Sequence, residues 1–311
     1  MPDALLMALA LLVGVLIDRL VGEPPRYHPL VGFGRLAGTL EARLNRGRHR
    51  ITAGALAWAL AVLPPVALIG ALRSTATPVA WVLDALVLAF CLGARSLGEH
   101  ARAVTAPLRD GNLDGARARL AWLVSRDTDT LSATEVASAT TESVLENGHD
   151  AIFGAVFWFI VGGAPLALLF RLANTLDAMW GYRTERFARF GRIAARVDDV
   201  LGWLPARLTA ATYAALGQTR RAWRCWRTQA PTWKSPNAGP VMAAGAGALA
   251  VRLGGPAPYH GQMEARPVLG EGDPAQAGDA EAALRLVNRG LTLWVALALL
   301  AGLIAIGVRH A

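Results

Sequence analysis

The chain contains 311 residues, of which 54% are apolar and only 17% are charged. Soluble domains carry about 25% charged residues, so this composition argues against a soluble single domain. The formal net charge of +8 reflects 31 Lys and Arg against 23 Asp and Glu. The two cysteines, Cys91 and Cys225, lie in unrelated sequence contexts and indicate neither a disulfide framework nor a thiolate metal site.

Four nearly uncharged windows reach or approach the ~20 residues that a membrane-spanning helix needs. The first window follows a stretch without Lys or Arg, so we interpret it as an uncleaved span and not as a signal peptide. The predicted fold class is therefore all-α, a polytopic integral membrane protein in which residues 1–311 form a single membrane-embedded domain. The predicted spans lie near residues 4–17, 51–72, 75–93 and 291–308.

Two other apolar stretches contain helix breakers. Residues 151–172 include a Gly-Gly-Ala-Pro sequence at 162–165, which interrupts helical hydrogen bonding. Lys and Arg mark the cytoplasmic side of short loops, and a full crossing here would place the arginines of residues 173–200 outside. We therefore predict a re-entrant helical hairpin, and a re-entrant or broken segment at residues 200–216, which also contain a proline. The alternative is that both stretches cross fully.

The water-facing parts are predicted to be cytoplasmic helical insertions at residues 94–150 and 218–290. Within the first, the sequence Ser-Ala-Thr-Glu at 132–135 is a capping-box pattern, which predicts a helix that runs to Asn147 and ends at Gly148.

Three other water-facing stretches have distinct patterns. Residues 184–197 are predicted to form an amphipathic helix with basic residues on one face. Residues 220–227 interleave Arg and Trp, which suits a helix on anionic lipid, and no nucleic acid is expected. Residues 254–280 are rich in Gly, Pro and acidic residues without periodicity, which predicts a mobile loop.

Acidic residues cluster near the predicted hairpin. Glu142 and Glu146 lie four residues apart on one helix face, a like-charge spacing that destabilises an isolated helix. A bound cation is the simplest reason to retain it, since Mg²⁺ takes one or two carboxylates together with substrate phosphates. Ordinary solvated glutamates are the alternative. If the hairpin returns to the side it entered, its far end meets this cluster, and Asp198-Asp199 adds another acidic pair. The polar residues at the two ends of the hairpin are Asn147, Asp150, Asn174, Thr175 and Asp177.

Two isolated titratable residues have open interpretations. Asp84 lies midway along the third predicted span, where a carboxylate is costly and is either functional or paired with a polar group on a neighbouring helix. His28 follows a turn-rich Gly-Glu-Pro-Pro sequence, and a lone histidine is more often structural than catalytic. No phosphate-binding P-loop is present, because the only lysine, Lys234, follows Trp233.

The order of these clusters along the chain is specific. They comprise Asp18, Gly22-Glu23-Pro24, His28-Pro29, Glu142-Ser143, Glu146-Asn147, Asp150, Asn174-Thr175-Leu176-Asp177, Ala195-Arg196-Val197-Asp198-Asp199, Pro205-Ala206-Arg207, Ser235-Pro236-Asn237-Ala238-Gly239, Leu253-Gly254-Gly255, and Tyr259 with Gly261. In this order they resemble the CobD/CbiB family of cobalamin biosynthesis, the membrane-bound adenosylcobinamide-phosphate synthases. The chain departs from the family pattern at Ala155, where a proline is usual, and at Gly148-His149, where small hydroxyl residues are usual.

The resemblance implies an amide ligation that consumes ATP and requires Mg²⁺. It would join (R)-1-amino-2-propanol or its O-phosphate to the propionate carboxylate of adenosylcobyric acid, giving adenosylcobinamide or its phosphate. The carboxylate is expected to be activated as an acyl phosphate. The implied partners are the corrinoid substrate, the aminopropanol and the lipid bilayer of the bacterial inner (cell) membrane, with most loops cytoplasmic. A homo-oligomer and contacts with neighbouring corrinoid-pathway enzymes both stay open.

The resemblance also implies roles for individual residues. The expected magnesium ligands are Glu142, Glu146, Asp150 and Asp177. The expected catalytic residues are Asp198, which would hold the amine or act as its base, and Arg196 and Arg207, which would neutralise phosphate charge. The expected binding residues are Asn147, Asn174 and Thr175 for phosphate or metal positioning, Asp18 and His28 for the corrinoid, and Asn237 for another wall of the site.

Two other functions compete with this interpretation. A magnesium-dependent intramembrane prenyl transferase also gathers aspartates and asparagines around a diphosphate, but it would not consume ATP. A transporter could use Asp84 and the broken helices as an ion path, but it would be expected to consist of two related halves, which the sequence does not show.

Overall fold

The computed structural model describes residues 2–23, 28–75, 80–259 and 261–310. These residues are mostly helical. In chain order the helices are α1 (Pro2–Leu20), α2 (Pro29–Leu44), α3 (Arg50–Thr75), α4 (Ala80–Cys91), α5 (Ala94–Arg109), α6 (Leu113–Leu120), α7 (Ala133–Gly148), α8 (Gly154–Gly162), α9 (Ala164–Trp180), α10 (Arg192–Leu216), α11 (Thr219–Gln229), α12 (Ala238–Leu249) and α13 (Ala277–His310).

Four helical stretches in the described chain are long and apolar enough to cross a membrane: Arg50–Ser74, Ala80–Arg109, Ala133–Gly162 and Ala277–Val308. In the first and the last, only 17% of the most apolar window is buried inside the protein. Apolar side chains exposed along a whole helix require lipid as solvent. The predicted class, an all-α polytopic membrane protein, is confirmed.

The candidate spans differ in detail from the predicted ones. The predicted windows at residues 51–72 and 291–308 lie in candidate spans, and the window at 75–93 overlaps one from Ala80 onward. The window at residues 4–17 forms α1. The remaining candidate span is Ala133–Gly162, which ends inside the segment predicted to be re-entrant. Length and composition of this helical run fit a full crossing as well as re-entry.

The chain divides into two compact units. Unit 1 comprises Met1–Gly93, Asp150–Gly202 and Val295–Ala311, and unit 2 comprises Ala94–His149 and Trp203–Trp294. Unit 2 therefore takes in most of the two predicted water-facing insertions.

The predicted break at residues 162–165 is confirmed in unit 1. Gly163 has φ 71° and ψ −159°, a backbone conformation that is nearly exclusive to glycine. The chain reverses there, and α8 packs against α9. Buried Asp84 fixes this turn, because it accepts the Ala164 backbone N–H at 3.1 Å and pairs with Arg73, whose Nε lies 3.0 Å from both carboxylate oxygens. Of the two interpretations of Asp84, the paired one is observed.

The helix α7 begins at the predicted capping box and ends at Gly148, as predicted, but the chain does not leave the helical path there. Ser132 and Glu135 form the expected capping box. At the other end, a Cβ on Gly148 would lie 2.4 Å from the Tyr213 hydroxyl, so this glycine also permits close packing. The Tyr213 hydroxyl donates to the Leu145 carbonyl at 3.1 Å, and the helix continues as a π-helical turn, His149–Phe153.

Two further helix predictions differ from the structure. Residues 200–216 are not broken, because α10 continues through Pro205, while their re-entry into the membrane stays a prediction. The amphipathic helix predicted over 184–197 begins only at Arg192, and turns precede it. A Cβ on Gly191 would lie 1.7 Å from the Trp180 carbonyl oxygen, so this close approach fixes the chain just before α10.

Unit 2 contains a small β region where a mobile loop was predicted. Its strands are β1 (Val251–Gly254), β2 (Ala257–Tyr259), β3 (Gln262–Glu264), β4 (Val268–Leu269) and β5 (Asp273–Pro274). β1 lies between β4, which is antiparallel to it, and β5, which is parallel, while β2 and β3 pair antiparallel. Periodicity could not reveal strands of two to four residues. β1 packs against α7 and so brings this region to the polar face of that helix.

Candidate functional site

A polar cavity of about 280 Å³ lies in unit 2 beside α7. Four parts of the chain line it: α7, the loop before α7, the segment before α12 that contains Trp233, and the β region. Its polar lining residues are Ser125, Arg126, Glu142, Ser143, Glu146, Asn147, Tyr259 and Arg266.

Glu142 is the buried centre of this cavity wall, with only 3% of its surface exposed. Its Oε2 accepts Arg126 Nη2 at 2.7 Å and Arg266 Nη2 at 2.5 Å. Its Oε1 accepts the Ser138 hydroxyl at 3.1 Å and the Gly254 backbone N–H at 2.9 Å. Both oxygens therefore have two donors each, and the carboxylate holds two guanidinium groups together.

The two arginines are buried, and their side chains are 10% (Arg126) and 8% (Arg266) exposed. Nε of Arg126 and Nη1 of Arg266 are both buried and have no hydrogen-bond partner. The Arg266 guanidinium also lies over the Trp233 ring, 4.8 Å from its centroid, which fixes its plane. Buried donors without partners are rare in folded proteins and indicate a missing acceptor.

A glycine of the family-like Leu-Gly-Gly sequence at 253–255 completes this wall. Gly254 has φ +75°, and a Cβ there would lie 2.3 Å from the Pro267 carbonyl oxygen. Only glycine can therefore turn its N–H toward Glu142 at this point.

Glu146 and Asn147 line the same cavity one turn further along α7. Asn147 donates its amide to the Ser143 carbonyl at 2.9 Å and to the Ser143 hydroxyl at 3.1 Å. Glu146 makes no hydrogen bond or salt bridge within the described part of the chain. Its carboxylate is therefore the acid of this cavity that is available to a ligand.

A second polar group lies in unit 1, where α9 meets the start of α10. Asn174 donates its amide to Asp198 Oδ1 at 3.3 Å. Burial, followed by the charge of Asp177, raises the pKa of Asp198 to about 7. Burial, followed by the charge of Asp199, raises the pKa of Asp177 to about 6. The three carboxyl groups therefore lie close enough to affect one another, and Asp198 can exchange a proton near neutral pH.

Other expected site residues in unit 1 have structural contacts. Thr175 donates its hydroxyl to the Arg171 carbonyl at 2.8 Å, within its own helix. His28 caps α2, since its Nδ1 accepts the Leu30 N–H at 3.2 Å, and its ring stacks on Phe90. Asp18 is buried near the end of α1. The prolines that follow Glu23 in the family-like sequence lie outside the described residues.

The remaining expected residues differ in exposure. Burial raises the pKa of Asp199, and the positive charge of Arg196, which is exposed on α10, opposes part of this rise. Asp150 is half-buried in the π-helical turn after α7.

Arg207 and Asn237, expected from separate motifs, contact each other in unit 2. Arg207 Nη1 donates to Asn237 Oδ1 at 3.3 Å, and its guanidinium lies 4.3 Å from the centroid of the Trp203 ring. Arg207 lines an open cavity of about 470 Å³, whose other walls include Trp226, Arg227 and Trp233. An aromatic and cationic surface of this kind can bind a flat or anionic ligand.

The expected magnesium site does not fit the arrangement around Glu142. All of the contacts to its oxygens are donors, which leaves no free lone pair for a cation. Among the described residues, no group of three or more His, Cys, Asp or Glu could hold a metal ion. Glu142 is thus reassigned from metal ligand to counter-ion of Arg126 and Arg266. Magnesium binding by Glu146, Asp150 and Asp177 stays a prediction.

Arg126 and Arg266 were not predicted from the sequence as site residues. Both lie outside regular helices, so no periodicity marks them. A signal was available for each: Arg126 lies just before the capping box of α7, and Arg266 closely follows the family-like residues 253–261.

Comparisons with known proteins give a consistent result. A family model described as "CobD/Cbib protein" matches residues 11–287. A protein of Stutzerimonas stutzeri named "Cobalamin biosynthesis protein CobD" is 56% identical and covers 94% of this chain and 97% of its own length. Proteins of the same name from Chromobacterium violaceum (55% identity, 98% and 99% coverage) and Mycobacterium tuberculosis (39% identity, 90% and 90%) also match. No solved structure matches the chain.

Proposed function

Because the chain belongs to the CobD/CbiB family of cobalamin biosynthesis proteins, we propose that it is an ATP-dependent adenosylcobinamide-phosphate synthase. The reaction joins (R)-1-amino-2-propanol or its O-phosphate to the propionate carboxylate of adenosylcobyric acid. The observation that carries this proposal is the family match along almost the whole chain. The matched range contains both polar groups described above.

The chemistry requires activation, because a carboxylate is a poor acyl donor. In the proposed route, a carboxylate oxygen of the corrinoid attacks the γ-phosphorus of ATP, forming an acyl phosphate and releasing ADP. The amine nitrogen then attacks the acyl carbon, phosphate leaves, and the nitrogen loses a proton. Magnesium is proposed to enter as the cation bound to the ATP phosphates, and no step is assigned to a metal held by Glu142.

Asp198 is the proposed proton acceptor of the amide-forming step. A base is most effective when its pKa lies near the working pH, and burial together with Asp177 raises the pKa of Asp198 to about 7. Asn174 holds one oxygen of Asp198 in place. Arg196 and Arg207 are proposed to neutralise phosphate charge, and Asn147, Thr175, Asp18, His28 and Asn237 to shape the binding surfaces.

The proposed location is the bacterial inner membrane with most loops in the cytoplasm. The candidate spans support a multi-pass protein. The excess of Lys and Arg in the segments between spans supports cytoplasmic loops. This side of the membrane supplies the ATP that the reaction consumes.

The nucleotide requirement tests this proposal. Detergent-purified protein is incubated with ATP, magnesium, adenosylcobyric acid and aminopropanol phosphate or free aminopropanol, and release of ADP is measured. We expect release only when corrinoid and an amine are both present. The proposed synthase reaction would be contradicted if ADP were released equally without the corrinoid. It would also be contradicted if folded protein released no ADP in any of the mixtures. A prenyl transferase would consume a diphosphate and no ATP.

A further inference from the structure

We propose that the cavity between Arg126, Arg266 and Glu146 binds a small phosphate monoester that also carries an ammonium group. The proposal rests on the proposed function in one respect, since aminopropanol phosphate is a ligand of this class. The site itself is argued from the contacts within unit 2.

The anionic half of the ligand matches the two arginines. Glu142 neutralises only one of the two guanidinium charges, and it leaves Nε of Arg126 and Nη1 of Arg266 buried without an acceptor. Both arginines line the cavity. A phosphate offers several oxygens to such donors, and a monoester carries nearly two charges at neutral pH.

The cationic half of the ligand matches Glu146. This carboxylate lines the cavity one helical turn from Glu142 and has no hydrogen-bond or salt-bridge partner within the described residues. A phosphate without a cationic group would be repelled by the negative charge of the Glu146 carboxylate. A ligand that also carries an ammonium group can pair with Glu146 while its phosphate meets the arginines that line the same cavity.

The size of the cavity limits the ligand. Its volume of about 280 Å³ is at the small end of the ligand-pocket range of roughly 300–1,000 Å³. It therefore suits an aminoalkyl phosphate and does not suit a corrin ring or a whole nucleoside triphosphate. The headgroup of phosphatidylethanolamine has related chemistry, but it is a diester with a single phosphate charge.

Calorimetric titration of the full-length protein in detergent tests the proposal, without ATP or corrinoid. The probes are 1-amino-2-propanol O-phosphate, inorganic phosphate, glycerophosphoethanolamine and ATP. We expect the aminoalkyl monoester to bind most tightly and the diester, which represents the lipid source, to bind at least about tenfold more weakly, because it loses one charge-assisted contact. Preference for the diester or for ATP would overturn the proposal.

Three variants identify the residues involved. Arg126→Lys keeps the charge that pairs with Glu142 but lacks the unpartnered Nε–H, so it should fold and bind both phosphate probes about tenfold more weakly. Glu146→Gln should weaken binding of the aminoalkyl phosphate and leave inorganic phosphate unchanged. Arg224→Gln removes an exposed arginine that pairs with Glu271 and serves as the control. If Arg126→Lys bound both phosphate probes as tightly as the native chain, the proposed binding site would be contradicted.

The readout separates this proposal from the proposed function. Binding that is retained in a protein without synthase activity would support the site and reject the reaction. Turnover without any effect of Arg126→Lys or Glu146→Gln on amine binding or KM would support the reaction and reject the site. Asp198→Asn should lower turnover and leave binding of the aminoalkyl phosphate intact, because Asp198 does not line this cavity.

Discussion

Glu142 shows how one buried charge organises a site. Its carboxylate accepts from two arginines, a serine and a backbone amide, and removal of one partner from a buried ion pair is far more costly than removal of an exposed one. Its spacing from Glu146 predicts a magnesium ligand, because that local pattern does not include the two arginines. The arginines that explain its burial come from residues 126 and 266, which no local pattern connects.

Glu142→Gln should therefore destabilise the protein strongly. The amide keeps the shape of the side chain but turns an N–H₂ group toward a guanidinium and leaves two buried positive charges without a counter-ion. We expect a loss of about 3–5 kcal/mol in unfolding free energy, measured by denaturant or thermal unfolding in detergent. The control is Glu99→Gln, whose exposed pair with Arg95 should contribute about 1 kcal/mol or less. Similar losses in both variants would contradict this account of Glu142.

Gly254 and Gly255 provide a matched pair for the backbone of the same wall. Both have positive φ, but a Cβ on Gly254 would lie 2.3 Å from a backbone carbonyl oxygen, whereas nothing lies within 4 Å of a Cβ on Gly255. Gly255→Ala should cost roughly 1–2 kcal/mol from the left-handed conformation alone. Gly254→Ala should cost more and should also weaken phosphate binding, because the backbone must move away from Glu142. Equal stability of the two variants would show that the close contact has no effect.

Some helix boundaries are specified by a local sequence pattern, and others are determined by tertiary contacts. The capping box at Ser132 and the break at Gly163 follow from local chemistry, and both predictions were confirmed. Gly148 ends α7 as predicted, but it also admits the Tyr213 side chain, which only the packed structure reveals. Pro205 looked like a breaker, yet α10 continues through it.

The hairpin between α8 and α9 depends on Asp84, so its substitution tests that element. Asp84→Leu removes both the acceptor for the Ala164 N–H and the partner of Arg73, whereas Asp84→Asn keeps an acceptor oxygen. We expect Asp84→Leu to lose roughly 1–3 kcal/mol in thermal unfolding experiments and Asp84→Asn to lose less. Turnover by folded Asp84→Asn should be close to native. A complete loss of turnover in that folded variant would contradict a purely structural role for Asp84.

The pairing of α2 with the turn before α10 predicts a pH effect on stability. Glu41 is buried and paired with Arg186, and hydrogen bonds from Arg186, which outweigh the effect of burial, lower the pKa of Glu41 below 4.5. A carboxyl group with a lowered folded-state pKa stabilises the protein above its unfolded-state pKa and loses this contribution as the pH falls. The stability difference between the native chain and Glu41→Gln should therefore be constant above about pH 5 and shrink below it.

Unfolding midpoints measured between pH 3.5 and 7 would check this difference, with the exposed neighbour Glu185→Gln as the control. The control should stay close to the native chain throughout. A difference for Glu41→Gln that grows as the pH falls has the wrong sign and would contradict the pairing.

At the scale of the whole molecule, composition was the most informative signal. An apolar fraction of 54% with 17% charge specified a membrane protein, and the exposed apolar faces of α3 and α13 agree with it. The division into two units was not predictable, because each unit is assembled from segments that are distant in the sequence. The small β region shows the same limit, since its strands are defined by their partners.

The central claim is that this chain forms an amide bond on a corrinoid carboxylate. The most direct measurement is the mass of the corrinoid after incubation of purified protein with adenosylcobyric acid, aminopropanol phosphate, ATP and magnesium, with each component omitted in turn. We expect a corrinoid heavier by the aminopropanol phosphate minus one water, formed only in the complete mixture. An unchanged corrinoid mass with folded protein, with both the phosphorylated and the free aminopropanol, would contradict the claim.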